Sequence, residues 1–280
     1  MTLKQALDQA RRVLTSKGIE DAWLEAELLL RHTLTVSRVR LYLDFNRELS
    51  PEQEETFWQL IERRARGEPS AYITGHREFY GLDFHVNPVV LIPRPESELL
   101  VEKAINLAQG RDIATIADIG TGCGAIAISL AINLPKVKLY ATDISAPALE
   151  VARINCQQHK VEDRICLLQG NMLDPLPEPV DLIIANMPYV KKAKVHITPL
   201  RFEPPLALDG GPDGLEKIYE LCKEVSGKLC SHGYLLLEVG QGQANPVAAL
   251  LHSLYPSAQI EVTPDLGGIE RVVGLRLTPS

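Results

Sequence analysis

The sequence predicts a doubly wound α/β fold with a parallel sheet, preceded by a small helical bundle and joined to it by a β-hairpin. Three observations carry this. Up to about residue 75, apolar residues recur at helical spacing; from Glu78 to Leu91 the pattern is extended around a turn at Gly81; beyond Gly110, runs rich in Ile, Val and Leu alternate with helix-like segments. At 280 residues and 45% hydrophobic content the chain can bury a sizeable core, enough for one large domain or two smaller ones.

In the first part, Leu3, Leu7, Ala10 and Leu14 share one helical face, and Ala22, Ala26, Leu29 and Leu30 share another. Ser50-Pro51-Glu52-Gln53 combines an N-cap serine, a first-turn proline and a capping-box glutamine, with Phe57, Leu60 and Ile61 as the apolar stripe behind it. The bundle is expected to end near Arg66-Gly67-Glu68-Pro69. Phe79-Tyr80 and Phe84-His85-Val86 flank Gly81 as hairpin strands. Pro93-Arg94-Pro95 then sets an extended approach to a helix whose first turn carries Glu96 and Glu98, at its positive end. This divides the chain into a helical domain at 1–73, a hairpin linker at 74–93 and an α/β domain at 94–280.

Within the last domain the alternation predicts strand Ile113–Ile119, helix Ala125–Leu134, strand Val137–Thr142, helix Ala146–Gln157 and strands Ile165–Gln169 and Val180–Ala185. Helix Leu215–Leu229 and strand Tyr234–Val239 follow. Gln259–Thr263 and Arg271–Leu277 read as two strands joined through Asp265-Leu266-Gly267-Gly268, adding an antiparallel strand to the sheet.

Bulk properties exclude several functions. A net charge of −7 argues against coating a nucleic-acid backbone; Lys191, Lys192, Lys194 and Arg201 read either as a local basic patch or as a solvated loop. The five cysteines are scattered and never spaced as C-x-x-C, which suggests reduced thiols and neither a disulfide framework nor a zinc site. None of the seven histidines has metal-motif spacing, so no metal is expected. No run approaches the roughly 20 apolar residues of a membrane span, and the polar N-terminus lacks a signal-peptide core, so a cytoplasmic protein is expected.

Open α/β sheets bind ligands beyond the carboxyl ends of their strands. Here the first of those strands ends in Asp118-Ile119-Gly120-Thr121-Gly122-Cys123-Gly124-Ala125, where glycines allow a sharp turn and close approach by a ligand. Gly120, Gly122 and Ala125 also satisfy a nicotinamide-nucleotide fingerprint. Asp118 weighs against that, since a carboxylate there opposes a pyrophosphate but suits an ammonium or a sulfonium, as in S-adenosylmethionine. Asp143, at the end of the next strand, is placed to accept hydrogen bonds from both ribose hydroxyls. The simpler readings are a turn former for Asp118 and a helix cap for Asp143.

The strand at 180–185 runs into Asn186-Met187-Pro188-Tyr189. This resembles the N/D-P-P-Y/F motif of methyltransferases acting on planar amino or amide nitrogens, with Met in place of the first proline. The lone pair of such a nitrogen is delocalised; the Asn186 side-chain oxygen and the main-chain carbonyl of Met187 can each accept one of its hydrogens and orient it, and Tyr189 can pack on the substrate plane.

Nearly the whole chain is similar to the bacterial protein-(glutamine-N5) methyltransferases that modify class I peptide chain release factors. The likeness lies in "GEPSAYITGHREFYGLDFHV", "LIPRPESELLVE", "DIGTGCGAIAISLA", "ATDISAPALEVARIN", "NMPYV" and "EPPLALDGGPDGL". It implies a class I methyltransferase domain, Rossmann-like with seven strands, and S-adenosylmethionine as cofactor. The implied substrate is the glutamine of a Gly-Gly-Gln motif in a release factor, which the N-terminal helical domain helps to bind. No membrane or direct nucleic-acid partner is implied.

Carried over residue by residue, the resemblance places Asp118, Gly120, Thr121, Gly122, Cys123 and Gly124 at the cofactor, Asp143 on its ribose and Asn171 and Met172 at its adenine. Asn171-Met172 departs from the acidic-then-large-apolar pair of many members, though Asn still hydrogen-bonds adenine and Met packs on the ring. Asn186, Met187, Pro188 and Tyr189 are expected to bind the glutamine and carry catalysis, with Asn186 also touching the cofactor. Arg94 and Glu98 are further candidates, or a pair bracing the domain junction. The expected chemistry is direct in-line methyl transfer without a metal or a covalent enzyme intermediate.

Rival readings differ in what they explain. An adenine-N6 RNA methyltransferase would share the Asn-Met-Pro-Tyr stretch but calls for a broad basic face. A nicotinamide-dependent dehydrogenase leaves Asp118 and that stretch unexplained. A cofactor-binding regulator without catalysis shares every motif and is separated only by an activity assay.

Overall fold

The computed structural model describes residues 1–197 and 200–278; the last two residues of the expected 94–280 domain lie outside them. The chain divides into two compact units, Met1–His76 and the residues from Arg77 onward.

The first unit holds helices α1 (Leu3–Ser16), α2 (Ala22–Leu34), α3 (Arg38–Leu43), α4 (Pro51–Ala65) and α5 (Ser70–Thr74). Thr2 with Gln5 and Ser50 with Gln53 form capping boxes that start α1 and α4, each satisfying two backbone donors that a helix start leaves free. Leu7, Leu14, Leu29, Leu30, Phe57 and Ile61 are buried together. The helical pattern does not reveal α3 and α5, which at 6 and 5 residues are too short to show a period. Beyond the expected end at Pro69, that proline becomes the N-cap of α5. Glu27 on α2 is buried, paired with Arg38 at 2.9 Å and accepting from the Tyr42 hydroxyl at 2.7 Å.

Strands β1 (His76–Phe79) and β2 (Leu82–His85) form the hairpin. Tyr80 and Gly81 both have positive φ, as the tightest hairpin turns require. The hairpin is expected as a linker, but it is anchored on the second unit: His85 exchanges backbone hydrogen bonds with the Asn155 side chain, and Gln158 donates to the Asp83 carbonyl at 2.7 Å.

The second unit continues with α6 (Glu98–Gly110), β3 (Thr115–Ile119), α7 (Ala125–Asn133), β4 (Lys138–Asp143), α8 (Ala146–Gln158), β5 (Ile165–Gln169) and β6 (Val180–Ala185). It closes with α9 (Glu216–Glu224), β7 (Leu229–Glu238), α10 (Ala244–Leu254), β8 (Gln259–Pro264) and β9 (Glu270–Arg276). These strands build one seven-stranded sheet in the order β5-β4-β3-β6-β7-β9-β8, parallel except for β9, which runs antiparallel to both neighbours. This is the seven-stranded class I methyltransferase architecture. The sequence reading places α9 too long and starts β7 too late: the helix stops at Glu224, ahead of Ser226-Gly227-Lys228, and the strand begins at Leu229, where Ser231, His232 and Gly233 interrupt the apolar pattern that marks a strand. It misses α10 altogether.

The sheet order fixes where a ligand fits. From β3 the chain moves outward through β4 to β5, then returns to β6 on the other side of β3, with Ile119 beside Ala185. The loops after β3 and β6 therefore diverge and open a crevice at the carboxyl edge.

Candidate active site

A cavity of about 1030 Å³ occupies that crevice. It is lined by Gly120, Gly122, Asp143, Asn171, Met172, Asn186, Met187 and Pro188 among the residues singled out in the sequence. Five loops converge there, and the hydrogen bonds that hold them explain how.

The glycine loop turns directly after β3. Gly120 and Gly122 have φ of +71° and +56°, a backbone conformation that side chains disfavour, and a Cβ on Gly122 would meet nothing within 4 Å. The loop is held against β4 by the Gly120 and Thr121 amides, both donating to the Thr142 carbonyl at 2.9 Å. Asp143 ends β4; its two carboxylate oxygens accept from the amides of Gly122 and Ser145, each at 2.9 Å. Burial raises its pKa, and the backbone hydrogen bonds from Ser145 and Gly122 oppose that rise. A carboxylate offers about four acceptor positions, so acceptor capacity remains beyond the bonds from Gly122 and Ser145. The helix-cap reading and the ligand reading of Asp143 are thus compatible.

Asn171 and Met172 follow β5. Their turn is tied to the end of β4 by the Gly170 amide on the Asp143 carbonyl at 3.0 Å and the Thr142 hydroxyl on the Met172 carbonyl at 3.0 Å. Met172 adopts a φ of +43°, and its side chain is buried while Asn171 is exposed. Asn186 follows β6, and its Nδ2 donates to Ser97 Oγ at 2.9 Å. The Met187 side chain is buried, its sulfur 3.8 Å from where a Cβ of Gly120 would lie. Met187 thus contributes its side chain to packing, beyond the carbonyl expected of it.

Other expected residues lie off this cavity, though Thr121 and Cys123 line a smaller one shared with Arg94 and Asn186. Asp118, expected to face a cationic ligand, is 1% exposed and turned inward: Oδ2 accepts from the Thr121 hydroxyl at 2.6 Å and the Ala127 amide at 3.2 Å. Its carboxylate fastens the glycine loop to the start of α7, and burial raises its pKa to about 6. Thr121 and Cys123 are likewise buried, and burial pushes the Cys123 thiol up to about 12. A Cβ on Gly124 would lie 3.1 Å from Ile128 and 3.3 Å from Ala152, so this glycine lets the loop pack on the helices. Tyr189, expected on the substrate plane, turns back and donates to Glu238 Oε1 at 3.1 Å.

Arg94 and Glu98 do not pair with each other. Arg94 is bound to the buried carboxylate of Glu203, which also accepts from the Ile92 amide at 3.2 Å, while Glu98 accepts from the Tyr80 amide at 2.8 Å. Arg94 and Glu203 brace the segment whose next residues, Pro204 and Pro205, line the cavity.

Several positioning residues carry no role in the sequence reading. Asn155 on α8 donates to the Cys123 carbonyl at 2.8 Å and to the His85 carbonyl at 2.9 Å, joining glycine loop and hairpin. Gln243 donates to the carbonyls of Tyr189 and Gly214, at 3.2 and 3.1 Å. Gly210 and Gly214 press on the Pro188 and Tyr189 backbone: a Cβ on Gly210 would lie 2.6 Å from the Pro188 oxygen, and one on Gly214 would lie 2.4 Å from that of Tyr189. The glycine density of "LDGGPDGL" is the one sequence signal of this backing. Among the described residues, no helix is long and apolar enough to cross a membrane.

Comparison with known proteins agrees with this architecture. The PrmC N-terminal domain family matches residues 5–75 and the methyltransferase small domain family matches residues 95–200. A release factor glutamine methyltransferase of Moorella thermoacetica is 44% identical over 274 residues, 97% of each chain. That of Geobacter sulfurreducens is 39% identical over 280 residues, covering 99% of this chain and 97% of its own. A methyltransferase crystal structure from Pyrococcus furiosus superposes with a TM-score of 0.54 over 78% of this chain and 97% of that one; at 18% identity the likeness is one of fold. Similarity at this level along nearly the full length, on a seven-stranded sheet with its crevice between β3 and β6, places the chain in the release factor glutamine methyltransferase family.

Proposed function

We propose that the protein transfers a methyl group from S-adenosylmethionine to the N5 side-chain nitrogen of the glutamine in the Gly-Gly-Gln motif of class I peptide chain release factors. The observation that carries this reading is the placement of Asn186 across the crevice from the Gly120 loop, both on the wall of one cavity. The residues present fit the cofactor: open glycines, a carboxylate with spare acceptor capacity, and an amide beside an apolar side chain. Gly120 and Gly122 would hold its methionine part, Asp143 its ribose, and Asn171 and Met172 its adenine. Bound there, it supplies an electrophilic methyl group on a positively charged sulfur.

The chain's own residues then position the acceptor. Asn186 accepts one hydrogen of the target amide and the Met187 carbonyl the other, which aligns the nitrogen with its line of attack and stabilises positive charge as it develops there. The backing of Pro188 and Tyr189 by Gly210, Gly214 and Gln243 supports fixed positions for these acceptors, because tightly packed backbone cannot drift. The helical first unit serves to hold the release factor.

Mass spectrometry of a purified release factor, after incubation with this protein and S-adenosylmethionine, tests the reading. One added methyl group on the glutamine of the Gly-Gly-Gln peptide is the expected result. Modification elsewhere, or of RNA alone, would sink it.

A further inference from the structure

We propose that Glu203 is a clasp between two chain segments that line the large cavity, and that it sets how long a bound S-adenosylmethionine is held there. The inference rests on the cofactor reading given above. One segment lines the cavity with residues 88–91 and the other with residues 204–207. Neither belongs to the sheet or to an α-helix, so no ladder of backbone bonds fixes either one.

Glu203 supplies bonds to both at once. It is 4% exposed and immediately precedes Pro204; its Oε2 accepts from the Ile92 amide at 3.2 Å, next to Leu91, and its Oε1 binds the Arg94 guanidinium. Pro204 and Pro205 have ring-fixed φ, so the placement of Glu203 is passed on to Leu206 with little slack. At the far end of that segment the Val190 amide donates to the Leu208 carbonyl at 2.9 Å. Residues 204–207 are therefore held at both ends, by Glu203 to the approach of α6 and by Val190 beside the Asn-Met-Pro-Tyr stretch. Val89 and Leu206 line the cavity yet are 40% and 59% exposed, so each segment carries an apolar side chain that a ligand in the cavity would take from water. Packing alone does not call for a carboxylate here, since a buried ion pair is often no more stabilising than apolar side chains of similar volume. What the charge adds is one fixed geometry between two loops. Glu203 is thus a positioning residue.

Glu203→Gln keeps the shape and an acceptor for Ile92 but leaves Arg94 without a counter-charge. Surface plasmon resonance with S-adenosylmethionine over the immobilised protein reads both rate constants. Dissociation should be faster by roughly 10-fold, the loss expected when one charge-assisted hydrogen bond is weakened, with association no slower. An unchanged dissociation rate would overturn the proposal, and so would slower association alone, the mark of a damaged cavity. If Glu203→Gln does not fold, Arg94→Gln removes the same charge pair while leaving a donor toward Glu203, and it should show the same acceleration; wild-type dissociation in that variant overturns the proposal equally.

A second readout needs no cofactor. Hydrogen–deuterium exchange of the ligand-free protein should show peptides spanning 88–92 and 203–208 exchanging faster in Glu203→Ala than in the wild type, both together, with the glycine loop at 120–124 unchanged. Acceleration of one segment only, of neither, or of the glycine loop as well would overturn the proposal. Wild type that binds no S-adenosylmethionine would overturn it together with the proposed function. Failure of the cofactor-loaded wild type to methylate a release factor would instead overturn the proposed function alone.

Discussion

The carboxylate of Asp143 accepts the backbone amide of Gly122 at 2.9 Å, so the end of one strand fixes the glycine loop that follows its neighbour. Asp143→Ala removes this brace together with the acceptors proposed for the ribose. S-adenosylmethionine affinity should weaken by about 1.5–3 kcal/mol, the range for charge-assisted hydrogen bonds. Calorimetric titration of wild type and variant checks this, and equal affinities would remove Asp143 from the cofactor site.

Asn186→Ala separates binding from chemistry. Removal of one transition-state acceptor should lower turnover by ~10²–10³. Cofactor affinity should change far less, since the assigned partner of Oδ1 is the substrate. Normal turnover would leave Asn186-Met187-Pro188-Tyr189 as a turn with no part in the reaction.

Gly210 tests the backing of that motif by sterics alone, because its φ is not positive. A Cβ there would lie 2.6 Å from the Pro188 oxygen and 2.8 Å from Tyr189 Cα. Gly210→Ala should lose most activity and about 1–3 kcal/mol of stability, as overpacking against backbone does. Gly110→Ala is the control, with nothing within 4 Å of the added carbon. Denaturant unfolding and turnover of the two variants should differ clearly.

Asp118 makes stability depend on pH. Its folded pKa of about 6 lies above the ordinary carboxylate value of 3.8, so the folded state holds the proton more tightly than the unfolded chain. Its contribution is most favourable below pH ~4 and is lost as pH rises to ~6, a change of ~3 kcal/mol from this group. Asp118→Asn should flatten that part of the curve. Unfolding free energies of both proteins between those limits give the difference, and parallel curves would show that Asp118 does not titrate there.

The capping box at Ser50, the glycine loop, the β3 to β6 alternation and the Asn-Met-Pro-Tyr stretch are local signals, and each is legible in the chain. Cap chemistry depends on residues three apart, strand character on a run of a few, and a ligand loop on glycines next to a strand end. These also point to Asp143 and Asn186, which line the cavity, because residues at and just past the carboxyl ends of parallel strands face the crevice. Asp118 is different: which way a side chain at a strand end turns depends on what its neighbours offer, and here Thr121 and Ala127 offer hydrogen bonds on the inner side.

The sequence by itself determined the fold class, the family resemblance and the strand ends at which chemistry sits. Only the tertiary structure decided which residues support them. Ser97 and Asn186 are 89 positions apart, Gln243 and Tyr189 are 54 apart, and Arg94 and Glu203 are 109 apart. No periodicity or cap links residues at such separations. They meet because the sheet returns to β6 beside β3 and adds β7 next to it, gathering the loops at one edge, where buried polar groups must find partners or destabilise the fold.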